Sequence, residues 1–196
     1  MIIYYIILVC IRQSAGTQHG RTLMRILIGA TILLLAGPAL GGTENVEYPK
    51  DYKSAFTSYT SVDKSHPKRD PSVREMLINP VGLAAAKAGK PMPSGTVIVM
   101  EVHKAKKDAA GKGAKDADGK YIRTGLNFVF VMEKRTGWGS EYPAALRNGE
   151  WEYGWFKADA ARHKKRDMKS CFACHKRVAR TDYLFTLKQL KAFAKK

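Results

Sequence analysis

The sequence predicts an α+β fold, a mainly antiparallel β-sheet with flanking helices. Two observations carry that expectation. The middle of the chain holds stretches of β-branched and aromatic residues that alternate with period two between turn residues, as half-buried strands do. Helical spacing is confined to segments before, between and after those stretches. A four-helix architecture would need helical periodicity throughout. About five strands with helices packed on them satisfy the pattern as one domain.

Taken in order, Thr43 to Pro71 is polar with interspersed aromatics. Tyr52, Phe56 and Tyr59 stand at i, i+4 and i+7, which predicts a short amphipathic helix. Asn79-Pro80 reads as a helix start, continued by Val81 to Ala88 and stopped by Gly89. Pro91, Pro93 and Ser94-Gly95 form a turn. Thr96 to His103 (TVIVMEVH) is a strand. Ala109 to Gly119 is a loop of Gly, Ala, Lys and Asp. Tyr121 to Glu133, with Phe128-Val129-Phe130-Val131, is a second strand, and Glu150 to Phe156 (EWEYGWF) a third. Ala158 to Lys169 is polar and reads as helical. Leu184 to Ala194 closes the chain as a helix with Leu187, Leu190 and Phe193 on one face.

The N-terminus reads as an export segment. Met24-Arg25 is followed by an almost unbroken apolar run to Leu40, ending in the small residues Gly41-Gly42. A charged start, a short apolar middle and a small-residue exit make a secretory signal at 24–42. The run is shorter than the ~20 residues a spanning helix needs, so the mature chain is not expected to span a membrane. Residues 1–23 read as an upstream start error or a non-structural extension, and 43–196 as a single domain. Export predicts a periplasmic location.

The chain has 196 residues and a formal charge of +17. Removing Arg12, Arg21 and Arg25 with the export segment leaves +14. Such a balance suits an acidic partner, nucleic acid or an anionic membrane. No basic stripe with interleaved aromatics is present, so a solvated lysine-rich surface is the favoured reading and nucleic acid is not expected. The run His163-Lys164-Lys165-Arg166 reads either as a solvated helix face or as a docking surface for an acidic redox partner.

Cys10 lies upstream of the signal, in 1–23, and is lost with it. The other two cysteines stand in Cys171-Phe172-Ala173-Cys174-His175. This is the C-x-x-C-H attachment motif of c-type haem. Two thiols about one helical turn apart can each add to a haem vinyl group, and the adjacent histidine can then ligate the iron. A bare C-x-x-C also serves redox disulfides and half-sites for zinc. A zinc site would want a second cysteine or histidine pair, and a redox pair usually follows a first strand early in the chain. One covalent haem c is therefore expected, on Cys171 and Cys174, with His175 as axial iron ligand. It is expected to lie between the sheet and the C-terminal helix that carries the motif.

The motif and its surroundings also resemble a known family. Cys171 to Lys176, followed by Thr181-Asp182-Tyr183-Leu184-Phe185-Thr186, is similar to the C-terminal signature of the cytochrome P-460 family. Arg74 to Pro80, Ser94 to Val97, Gly137-Trp138-Gly139 and Trp151-Glu152-Tyr153 resemble further family segments. The resemblance covers nearly the whole of 43–196. It implies a periplasmic haem c domain with a mainly antiparallel sheet, often a homodimer. One branch oxidises hydroxylamine with nitric oxide as co-substrate and links a lysine to the haem edge. A related branch, the cytochromes c′-β, lacks the link and binds nitric oxide or other small ligands.

The departures from the family pattern direct the functional expectation. The cross-linking lysine aligns with Met100 and the distal carboxylate with Val129, flanked by Phe128 and Phe130, while Arg74 matches a distal arginine. The face of the strand from Thr96 carries Thr96, Ile98, Met100, Val102 and Lys104. Lys104 could restore a lysine there only at about 13 Å from Met100, at ~3.3 Å per residue. The expected distal pocket is thus Met100, Phe128, Val129 and Phe130, with Arg74 as its polar group and candidate catalytic residue. Such an apolar pocket suits uncharged ligands such as nitric oxide, and hydroxylamine oxidation would want a general base that Val129 cannot supply.

Two alternatives stay open. Met100 could be the sixth iron ligand of an electron-transfer cytochrome, because His/Met ligation raises the potential, or it could be core filler. The protein could instead be a hydroxylamine or nitric oxide oxidoreductase with a base or cross-link placed elsewhere. His103 falls on the strand face opposite Met100 and reads as a core or surface histidine. His66 and His163 read as solvated, and Trp138, Trp151 and Trp155 as core or interface aromatics.

Overall fold

The computed structural model describes residues 45–163 and 168–196. The export segment and the proposed upstream extension, residues 1–42, lie outside the described residues, as do Lys164, Lys165 and Arg166. Five antiparallel strands form one sheet in the order β1-β2-β3-β4-β5. They are β1 Thr57–His66, β2 Arg69–Ile78, β3 Val97–Ala105, β4 Arg123–Lys134 and β5 Trp151–Lys157. Among the described residues four α-helices accompany them: α1 Tyr52–Ala55, α2 Pro80–Lys87, α3 Lys169–Lys176 and α4 Leu187–Ala194. The α+β class read from the sequence is the observed one. No helix among the described residues is long and apolar enough to cross a membrane.

The sheet has two covered faces. On one, Met76, Ile78, Ile98, Trp151, Tyr153 and Trp155 are buried together with Phe172 of α3 and Leu190 of α4. On the other, Leu77, Val99, Val129, Val131 and Phe156 are buried under Val46 and Tyr52 of the N-terminal segment. Alternate residues of each strand supply the two faces, as the pleat requires. The register runs Arg74–Val102–Phe128 and Met76–Met100–Phe130–Trp155 across β2 to β5, so each row shares one face.

Local chemistry sets the element ends. Asn79 caps α2, its Oδ1 accepting from the Gly82 amide at 3.1 Å and from the Val97 amide at 3.1 Å. One side chain thus starts a helix and ties it to β3. Gly82 is needed for the close approach of α2, because a Cβ there would meet Ile78 and Thr96 side-chain atoms at 2.7 Å. In α4, Leu190 is fully buried, with Leu187 and Phe193 packed against the same cluster.

Two local expectations are corrected. The helix expected from Tyr52 through Tyr59 ends at Ala55, and Tyr59 belongs to β1. Tyr52 and Tyr59 go to opposite faces of the sheet, which a common helix would have forbidden. The helix expected over Ala158 to Lys169 is absent over 158–163. There the chain turns back on β5, with Phe156 bridged to Arg162 and the His163 amide donating to the Trp155 carbonyl at 2.9 Å. Ala160 takes a left-handed φ of 65° in that return.

Candidate functional site

The cysteine-histidine motif occupies α3. Cys171 and Cys174 sit three residues apart on this helix, one turn along the same side, and no disulfide joins them. Phe172, at 2% exposure, points into the core and anchors the helix to the sheet. Its ring packs on Tyr142 and Tyr153 at centroid distances of 4.7 and 4.8 Å. Asn148, fully buried, fixes the helix from behind. Its Nδ2 donates to the Phe172 carbonyl at 3.0 Å and to the Tyr153 hydroxyl at 2.8 Å. Lys176 adds bonds from its Nζ to the carbonyls of Ala144 and Arg147 at 2.9 and 2.7 Å.

The segment after α3 exists to hold His175. A 3₁₀ turn, Ala179–Thr181, is followed by two consecutive left-handed residues, Asp182 at φ 51° and Tyr183 at φ 62°. Such residues each cost about 1–2 kcal/mol unless the surroundings hold them. Asp182 is held: its carboxylate accepts from Lys134 Nζ at 3.1 Å and from Trp151 Nε1 at 3.1 Å. The backbone so bent presents the Tyr183 carbonyl to His175 Nδ1 at 2.7 Å. That bond fixes the tautomer and leaves Nε2 as the nitrogen for a metal, the usual arrangement behind a ligating histidine. Burial lowers the His175 pKa and the Tyr183 hydrogen bond only partly raises it again, so the ring is neutral at pH 7. The Tyr153 and Phe185 rings lie 4.8 and 5.1 Å from it.

Of the expected distal residues, the structure gathers Met100, Phe128 and Phe130 with Cys171 on one face of the sheet. All three are half-buried. Arg74 shares their face through its register with Val102 and Phe128. Burial and the neighbouring charge of Arg69 lower its pKa, and Cys174 offsets this in part. Its Nε is buried without a hydrogen-bond partner.

Val129 is a correction. It is fully buried in the other cluster, against Val99 and Phe156. Flanking residues of a strand point to opposite faces, so Val129 cannot line a pocket that Phe128 and Phe130 line. The glutamates of the three central strands, Glu75, Glu101 and Glu133, share the Val129 face by the same alternation. Lys104 is exposed near the end of β3, beside Ser72.

His103 is a core histidine, as read. Its Nε2 donates to Glu101 Oε2 at 2.7 Å, and Tyr52 donates its hydroxyl to Glu101 Oε1 at 2.5 Å. His66 is exposed. His163 is not solvated as expected: it is half-buried and stacks on Trp155, with centroids 3.9 Å apart and planes 6° apart. Trp151 and Trp155 are core residues and Trp138 packs on the second cluster.

Sequence reading missed Asn148, Tyr153 and the Tyr183 carbonyl. The family-like segments Trp151–Tyr153 and Thr181–Thr186 ran through Tyr153 and Tyr183 without assigning either a role, since a backbone oxygen leaves no mark in residue type.

The arrangement fits a haem. Two thiols on one helical turn, a neutral histidine with Nε2 available, and half-buried apolar side chains with an orphaned arginine Nε on the facing sheet are a matching donor set. The sequence profile of the family described as Cytochrome P460 matches residues 49–186. No curated protein matches the chain.

Proposed function

Because the chain belongs to the cytochrome P460 family, we propose that this haem cytochrome is exported to the periplasm and binds nitric oxide or a similar small, uncharged ligand. One covalent haem c is held by Cys171 and Cys174, with His175 on its iron, and supplies a redox-active metal that takes diatomic ligands. The ligand pocket is built from Met100, Phe128 and Phe130, with Arg74 at its polar edge.

The placement of charge carries this reading. The central-strand glutamates stand on the sheet face opposite Cys171, and the face gathered with Cys171 carries no carboxylate of β3 or β4, its polar side chains including Arg74 and His163. Hydroxylamine oxidation needs a base to take protons near the metal, and Met100, Phe128 and Phe130 offer none. An uncharged diatomic needs no such base. It loses little on entering an apolar pocket, where a charged substrate would pay desolvation.

Met100 favours a second reading. It stands on the Cys171 face, opposite Met76 and Phe130 in register. A methionine on the iron would close the ligand site and make an electron-transfer cytochrome, for which the basic surface would suit an acidic redox partner.

The optical spectrum of the holoprotein, ferric and ferrous, with and without nitric oxide, separates these readings. A high-spin spectrum that changes on adding nitric oxide is expected. A low-spin spectrum indifferent to nitric oxide would overturn ligand binding in favour of Met100 ligation. A strongly red-shifted ferrous band would reveal a modified haem and move the protein to the hydroxylamine-oxidising branch.

A further inference from the structure

His163 stands apart from the motif, yet the return after β5 delivers it to the same face of the sheet. Its amide is bonded to the Trp155 carbonyl, and its ring lies parallel on the Trp155 indole. Trp155 in turn stacks on Phe130 at 5.3 Å, and the His163 ring lies 6.4 Å from Phe128. On β5, Tyr153 and Trp155 are adjacent on one face, and each carries a histidine: His175 on Tyr153, His163 on Trp155.

The His163 Nδ1 is buried and has no hydrogen-bond partner among the described residues. A buried polar atom left unpaired is destabilising, and such orphans are rare enough to call for a partner. We infer that His163 is a polar residue of the ligand pocket, whose Nδ1–H hydrogen-bonds a small oxygen-bearing ligand held there. This rests on the ligand-binding reading above and deepens it. The pocket is then apolar on its Met100, Phe128 and Phe130 side but carries one aimed donor, fixed by an aromatic stack. Such a donor favours ligands with a terminal oxygen, such as nitric oxide and carbon monoxide, over those that offer no acceptor.

The test uses the holoprotein with carbon monoxide and nitric oxide as probes. His163→Phe keeps an aromatic ring on Trp155 and removes the nitrogen, and His163→Asn places an amide N–H near the position of Nδ1. In His163→Phe the C–O stretch should rise, and nitric oxide should leave about 2- to 12-fold faster, the loss of one ordinary hydrogen bond. Both should move back toward wild type in His163→Asn. Circular dichroism matching wild type would verify that the variants fold. If wild type binds nitric oxide and both readouts are unchanged in His163→Phe, this inference falls alone. If wild type binds neither probe, the ligand-binding reading falls and takes the inference with it. A low-spin wild type that turns high-spin in His163→Phe would make His163 an iron ligand and overturn its role as a donor.

Discussion

The carbonyl of Tyr183 lies 2.7 Å from Nδ1 of His175, and it is brought there by a left-handed backbone that Asp182 pins to β4 and β5. The orientation of the proposed iron ligand is therefore set by the sheet, through a carboxylate one residue away from the carbonyl. Lys134 and Trp151, which receive that carboxylate, belong to neighbouring strands that pair with each other.

Asp182→Ala should destabilise the protein by about 1–3 kcal/mol, since Lys134 and Trp151 lose a charged acceptor. Asp182→Gly should cost less than Asp182→Ala, because glycine takes the φ of 51° freely. Urea unfolding of the two holoproteins checks the order. Equal losses would mean that the backbone conformation contributes nothing.

Replacing both Cys171 and Cys174 by alanine should abolish covalent haem, read as loss of haem staining after denaturing electrophoresis. Each single variant should keep one thioether. His175→Ala should leave the haem attached while altering its spectrum, because attachment and ligation use different side chains.

Arg74→Leu should separate ligands by charge. Nitric oxide affinity should change less than about threefold, while cyanide binding to the ferric protein should weaken about tenfold, near the worth of one hydrogen bond to a charged group. Titrations followed by absorbance decide it. Equal losses for both ligands would place Arg74 in a general packing role.

Met100→Leu should leave the spectrum of the resting protein unchanged if Met100 is pocket wall. Conversion from low to high spin would make it the sixth ligand. Leucine has nearly the same volume, so packing is conserved and the readout reports ligation.

The Tyr52–Glu101–His103 network makes stability pH-dependent. Burial raises the Glu101 pKa, but hydrogen bonds from Tyr52 and His103, with the charges of His103 and Lys53, outweigh it and hold the value below the ordinary one. Its contribution is present above the unfolded glutamate pKa of about 4.3 and is lost as pH falls through the lower folded value. Glu101→Gln should flatten that acid limb. Burial pushes Tyr59 up to about 12, partly offset by its Thr186 hydrogen bond, and burial with the Glu101 bond raises Tyr52. Both stay protonated in the folded state where the unfolded chain ionises, so stability should also fall as pH rises above about 10. Urea midpoints measured across pH give both limbs.

The strands β3 and β4 were legible because they bury largely alternate residues and so carry period two, and β5 because it is a short aromatic-rich run, buried on both faces, bounded by turn residues. β1 was not. As an edge strand it is mostly exposed (TSYTSVDKSH) and shows no apolar alternation, while its Tyr59 continues a helical spacing with Tyr52 and Phe56 by coincidence. Family alignment brought Phe128, Val129 and Phe130 to the pocket together, but one residue of register separates two faces. Only the paired strands decide that Val129 belongs to the far core.

By itself the sequence determined the haem motif, the family, the fold class and the ends of α2, because these depend on residue type at short, fixed spacing. Tertiary structure decided the rest. A backbone carbonyl that orients His175, a glutamate face turned away from Cys171, and a histidine stacked on Trp155 all depend on long-range strand pairing and on a chain return. Such geometry comes from packing the whole sheet, and no local pattern of residues encodes it.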